Sequence, residues 1–96
     1  MAYLTIIAKI VAKEDKVDLV KNELLKLVEL TKKEKGCIGY VSHQDNNNPK
    51  YFLNYETWEN EELLEVHKNN TALQEYFMAT ENAIEEFTVN KMTILA

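Results

Sequence analysis

The first residues of the chain alternate. From Tyr3 to Val11, Leu4, Ile6, Ala8 and Ile10 point one way and Thr5, Ile7, Lys9 and Val11 the other, which predicts a β-strand. The period then lengthens. Val17, Val20, Leu24, Leu27, Val28 and Thr31 recur at helical spacing, with Asp15 as the candidate N-cap. Lys32, Lys33 and Lys35 are expected in the last turn, where cations suit the helix dipole, and Gly36 is placed to end the helix. Cys37 to Gln44 and Lys50 to Trp58 read as two further strands. The segment Asp45-Asn46-Asn47-Asn48-Pro49 between them is turn chemistry, so the pair predicts a hairpin. Asn60 can cap a short helix reaching to about Lys68, with Glu61 and Glu62 in its first turn. Thr71 and Gln74 have capping-box spacing for another helix, whose inner stripe reads Leu73, Phe77, Thr80, Ile84 and Phe87. Thr88 to Leu95 is expected to be the last strand.

The order β-α-β-β-α-β is the split βαβ plan of the α+β class. It is a ferredoxin-like, four-stranded antiparallel sheet with its helices on one face. The other sheet face then needs cover, because either Ile7 and Val11 or Leu4 and Ile6 must point away from the helices. In the third strand Tyr51, Leu53 and Tyr55 alternate with Phe52, Asn54 and Trp58, so both faces carry apolar or aromatic groups. A bare apolar sheet face associates, and a symmetric homodimer with the two sheets face to face is expected.

Ninety-six residues make one domain, spanning 1–96. No apolar run reaches the roughly 18 residues of a membrane span, and the N-terminus reads as a strand rather than a signal peptide. The single Cys37 cannot form an internal disulfide and suggests a reducing, cytoplasmic setting. One cysteine and two histidines without close spacing argue against a structural metal site. The net charge is −5 and uneven: nine carboxylates and one lysine, Lys68, lie between Glu56 and Glu86. Such a surface repels phosphate backbones, so nucleic acid is not an expected partner. All eleven basic residues are lysine, which removes the bidentate arginine clamp for phosphates and carboxylates.

Candidate chemistry gathers between Asn54 and His67. Asn54 is a polar residue on an otherwise apolar strand face, and Glu56 and Trp58, the only tryptophan, leave the same face. His67 falls on the inner stripe of the next helix, one residue after Val66 and four after Leu63. It reads either as a core histidine bonded to backbone or as a general base in a pocket. Asn54 reads either as an edge residue or as an amide stabilising a ligand oxygen, and Trp58 as core or pocket wall. Glu56 is a pocket carboxylate or a strand-end ion-pair partner. Tyr40, Tyr51, Tyr55 and Tyr76 are packing or interface candidates. His43, before the turn, is expected to be exposed, and Cys37 has no base placed beside it. Glu59, Glu61, Glu62 and Glu65 form a solvated helix face.

The run Gly36-Cys37-Ile38-Gly39-Tyr40-Val41-Ser42-His43-Gln44-Asp45, then Tyr51-Phe52, Tyr55-Glu56-Thr57-Trp58-Glu59, Leu64-Glu65-Val66-His67 and the Leu73 to Phe77 helix resembles the antibiotic biosynthesis monooxygenase family, across nearly the whole chain. The resemblance implies a dimeric α+β barrel of ferredoxin-like subunits with a pocket between sheet and helices. It also implies oxygenation of a small quinol or phenol by dioxygen, without metal, flavin or haem. On this reading Asn54, Trp58 and His67 are catalytic, and Tyr40, Phe52, Glu56 and Phe77 bind substrate. Asn54 would orient and stabilise the ring oxygen, His67 would accept its proton, and Trp58 would form a wall and offer its N–H. Aromatic-polyketide oxygenases of the family carry tyrosine and arginine where this chain has Leu64 and Met78. The haem-degrading branch carries Asn, Trp and His where it has Ile7, His67 and Phe77. A third branch isomerises a small phosphorylated dione, which the absence of arginine disfavours. The alternatives to a monooxygenase are an isomerase or lyase of a small carbonyl compound and a non-catalytic dimeric ligand-binding or stress-response module.

Overall fold

A computed structural model describes residues 3–96. Residues 1 and 2, with which the reading of the N-terminus as leaderless begins, lie outside the described part. The elements are β1 (Leu4–Ala12), a 3-10 turn (Glu14–Lys16), α1 (Val17–Thr31), β2 (Cys37–Gln44), β3 (Tyr51–Trp58), α2 (Glu61–Lys68), α3 (Thr71–Ala79) and β4 (Ile84–Met92). The strands form one antiparallel sheet in the order β2-β3-β1-β4. This is the expected α+β, ferredoxin-like plan, with its second helical segment split into α2 and α3.

The β1–β3 register sorts the sheet into two faces. Ile6 faces Glu56, Ala8 faces Asn54 and Ile10 faces Phe52 across the ladder, and these six side chains are buried on the helix side. Ile7 and Val11 therefore point away from the helices. On α1, Val20, Leu24, Leu27 and Thr31 make the inner stripe. Each buried aliphatic side chain there contributes roughly 1.5–3 kcal/mol. The far face is mixed. Val41 and Tyr55 are cross-strand partners and exposed, whereas Lys9 lies 5.2 Å over the Tyr51 ring and 3.0 Å from Glu86.

Several helix ends differ from expectation. Asp15 does not cap α1: the 3-10 turn intervenes, and Lys16 precedes the helix without a side-chain cap bond. The lysines at 32, 33 and 35 fall just past Thr31 in the following turn, which Gly36 completes at φ +86°. Asn60 caps α2 as expected, its side-chain oxygen accepting from the Leu63 amide at 2.9 Å. For α3 the cap is Asn70, accepting from Thr71 N at 2.8 Å, one residue before the Thr71 expected to start a capping box.

The largest departure is the α3–β4 boundary. The helix stops at Ala79, the Thr80 hydroxyl donates back to the Tyr76 carbonyl, and Ala83 N closes a turn on Thr80 O. Ile84 and Phe87, expected on the helix, belong to β4, which pairs with β1 from Ile84 onward. The spacing 73-77-80-84-87 satisfies a helical period, but β1 needs a partner for its second edge, and satisfying those backbone groups decides the matter. Among the described residues no helix is long and apolar enough to cross a membrane.

Candidate active site

The helix face of the sheet, α2 and α3 enclose a cavity of about 400 Å³. Its floor is Ile6, Ala8 and Ile10 of β1 with Asn54 and Glu56 of β3 and Tyr40 of β2. Leu64 and His67 of α2, and Leu73, Tyr76 and Phe77 of α3, form the opposite wall, with Leu27 of α1 also lining it. Phe87, Val89 and Lys91 of β4 form the remaining side, because the register sets them beside Ile10, Ala8 and Ile6. The lining is mainly apolar with a few polar groups, the usual make-up of a small-molecule site.

The polar groups are linked in a line. Glu56 Oε1 accepts from Trp58 Nε1 at 3.0 Å. The Trp58 indole lies 4.6 Å, centroid to centroid, from the His67 imidazole, tilted by 33°. His67 Nδ1 and Glu34 Oε1 are hydrogen-bonded at 3.0 Å, and the Tyr40 ring meets His67 edge-on at 5.8 Å. Asn54 Nδ2 donates to the Tyr40 hydroxyl at 3.4 Å, whereas its Oδ1 is buried with no partner. The Tyr76 hydroxyl is likewise buried and unpartnered.

Burial governs the titrations. It pushes the Glu56 carboxyl up to about 7, against the opposing Trp58 N–H bond and with a further push from Glu34. It drives the Tyr40 hydroxyl well above its ordinary range, with the nearby Glu56 charge adding to it, and lifts Tyr76 to about 12. Cys37 is also raised, by burial first and then by Glu34 and Glu56, so its thiol stays protonated and weakly nucleophilic. The cavity is thus lined by both a carboxyl poised near neutrality and an imidazole, in apolar surroundings.

Of the residues singled out in the sequence, Asn54, Glu56, His67, Tyr40 and Phe77 come together around this cavity. Trp58 and Phe52 do not line it. Trp58 is fully buried behind His67, where it supports the imidazole and holds Glu56, and Phe52 lies in the packed core. His43 is exposed, with Nδ1 3.1 Å from the Leu53 carbonyl. Residues missed as site members are Glu34, Tyr76, Leu73 and the β4 trio Phe87, Val89 and Lys91. The alternation Phe87-Val89-Lys91 was the available signal for the last three, masked by the helical spacing that precedes it. Nothing local marks Glu34.

The sequence profile of the antibiotic biosynthesis monooxygenase family matches residues 3–79. The chain belongs to that family. Its fold is shared by PA3566 of Pseudomonas aeruginosa, at 28% identity with a TM-score of 0.95, over 100% of this chain and 97% of that one. A conserved protein of Methanosarcina mazei Go1 superposes with a TM-score of 0.87 at 30% identity, over 96% of this chain and 92% of that chain. The uncharacterized protein YjcS of Bacillus subtilis (strain 168) is 36% identical over 67 residues, which span 70% of this chain and 63% of the relative. The profile covers all the lining residues except the three on β4.

Proposed function

We propose that this member of the family is a cofactor-independent monooxygenase that oxidises a small quinol or phenol with dioxygen. The observation that carries the reading is the meeting of His67, Glu56 and Asn54 in one apolar cavity of about 400 Å³, a size that suits a one- or two-ring aromatic. His67 takes the proton of a ring hydroxyl, which leaves an electron-rich quinolate. That anion reduces dioxygen directly: one oxygen atom enters the ring, the other leaves as water, and the hydroquinone becomes a hydroxyquinone. Glu56, partly protonated near neutral pH, donates to the developing oxyanion. Asn54 orients the ring through Oδ1, the acceptor left without a partner. Trp58 acts from behind, on His67 and Glu56, rather than as a wall.

Oxygen uptake by the purified, metal-free protein across a panel of hydroquinones, menadiol among them, tests the proposal. Uptake above the autoxidation blank is expected; rates equal to the blank throughout the panel overturn it.

A second reading is favoured by the presence of Glu56 and His67 in one cavity: a carboxyl near neutrality and an imidazole facing the same ligand suit proton removal and return in an isomerase or lyase of a small carbonyl compound. Such an enzyme would turn over without consuming oxygen. We also propose that two copies pair through the far sheet face, where Val41, Tyr55 and Met92 are exposed, to give the dimeric α+β barrel.

A further inference from the structure

Glu34 lies in the turn between α1 and β2, thirty-three residues from His67 in the chain, yet its carboxylate is mostly buried against the imidazole. One oxygen takes the Nδ1 bond at 3.0 Å, and the other is buried with no partner. Withdrawing a carboxylate from water for one hydrogen bond is costly, and the cost falls on a residue outside the cavity lining. The surrounding turn holds it in place. Glu34 N bonds Thr31 O at 3.0 Å, Cys37 N bonds Glu34 O at 3.2 Å, and Gly36 O accepts from Glu59 N at 2.8 Å, tying the turn to the end of β3.

We infer that Glu34 is the positioning residue of the site: it accepts the Nδ1 proton of His67, fixes the neutral ring in that tautomer and leaves Nε2 as the proton acceptor for a ligand in the cavity. An ionised carboxylate can only accept hydrogen bonds, so a neutral imidazole paired with it must carry its proton on Nδ1. Trp58 and Tyr40 pack on the ring and hold its plane. The assignment rests on the proposed role of His67 as base only for its consequence in turnover; the tautomer itself is a property of the ligand-free protein.

Long-range ¹H–¹⁵N NMR correlations of the ring nitrogens, recorded on the free protein at a pH where the imidazole is neutral, test it. In the native chain His67 is expected to show a protonated Nδ1 and a bare Nε2. In Glu34→Leu, which removes the acceptor, the proton should move to Nε2, whereas in Glu34→Gln the amide oxygen still accepts and Nδ1–H should be kept. A native ring protonated on Nε2, or an Nδ1 proton retained in folded Glu34→Leu, overturns the inference. With an oxidisable hydroquinone, Glu34→Leu should lower kcat roughly 10- to 100-fold with little change in KM, part of the effect of a general base, and Glu34→Gln should recover most of it. The expected tautomer in a protein that consumes no oxygen would sink the proposed reaction and leave the positioning role standing. The wrong tautomer in an active enzyme would do the reverse.

Discussion

At the scale of single residues, burial beside the cavity pushes Glu56 up from an ordinary 4.5 to about 7. The folded state therefore holds this proton more tightly than the unfolded chain. Its contribution to stability is complete below about pH 4.5 and is lost as pH rises through about 7. Glu56→Gln keeps an acceptor for the Trp58 N–H and cannot ionise. Its melting temperature relative to the native protein should climb across that window and then level off, as calorimetry at a series of pH values would reveal. A flat difference would show that Glu56 titrates as an ordinary surface carboxylate. His67→Ala should lower oxygen uptake with hydroquinone by about 10²–10⁴-fold if the imidazole is the base. An unchanged rate would remove it from the mechanism. The shared face of Asn54 and Glu56 and the inward stripe of His67 were legible in the sequence, because strand alternation and helix spacing are local rules. The place of Trp58 was not. Its face was correctly read, but whether an inward indole lines a cavity or lies beneath another ring depends on what covers it. Here α2 starts three residues later and lays His67 over it.

At the scale of elements, the α1–β2 turn is tightly constrained. Gly36 sits at φ +86°, and a Cβ there would come within 2.5 Å of Leu63 Cδ1 and 2.6 Å of Leu63 Cβ. Gly36→Ala thus combines a left-handed backbone with a clash against α2. The expected loss is roughly 2–4 kcal/mol by urea unfolding, summing the conformational and overpacking costs. Because the same turn carries Glu34, the variant should also disturb the His67 pairing. Removing the α2 cap with Asn60→Ala should cost about 1 kcal/mol in the same assay, since one amide loses its partner. Most strands and helices were legible from periodicity, whereas the end of α3 was not. Residues 73 to 87 satisfy a helical spacing, and only the pairing of β4 with the free edge of β1 converts Ile84 and Phe87 to strand.

At the scale of the whole molecule, the cavity and the far face lie on opposite sides of one sheet. Sedimentation at micromolar concentration should give twice the 11.2 kDa chain mass. The double variant Val41→Glu, Tyr55→Lys, at two cross-strand partners on the far face, should sediment as a monomer with its secondary structure intact. A native protein that runs as a clean 11.2 kDa species would overturn the dimer. By itself the sequence determined the order of elements, the ferredoxin-like plan, the shared face of Asn54 and Glu56 and the inward stripe of His67, because each depends on spacing between near neighbours. Only the tertiary structure decided that Glu34 meets His67, that Trp58 and Phe52 stand outside the cavity, and that Phe87, Val89 and Lys91 close its side. Those relations depend on the strand order β2-β3-β1-β4 and on a turn tied down by distant backbone bonds. Local periodicity sets which way a side chain points, but long-range pairing chooses what it meets.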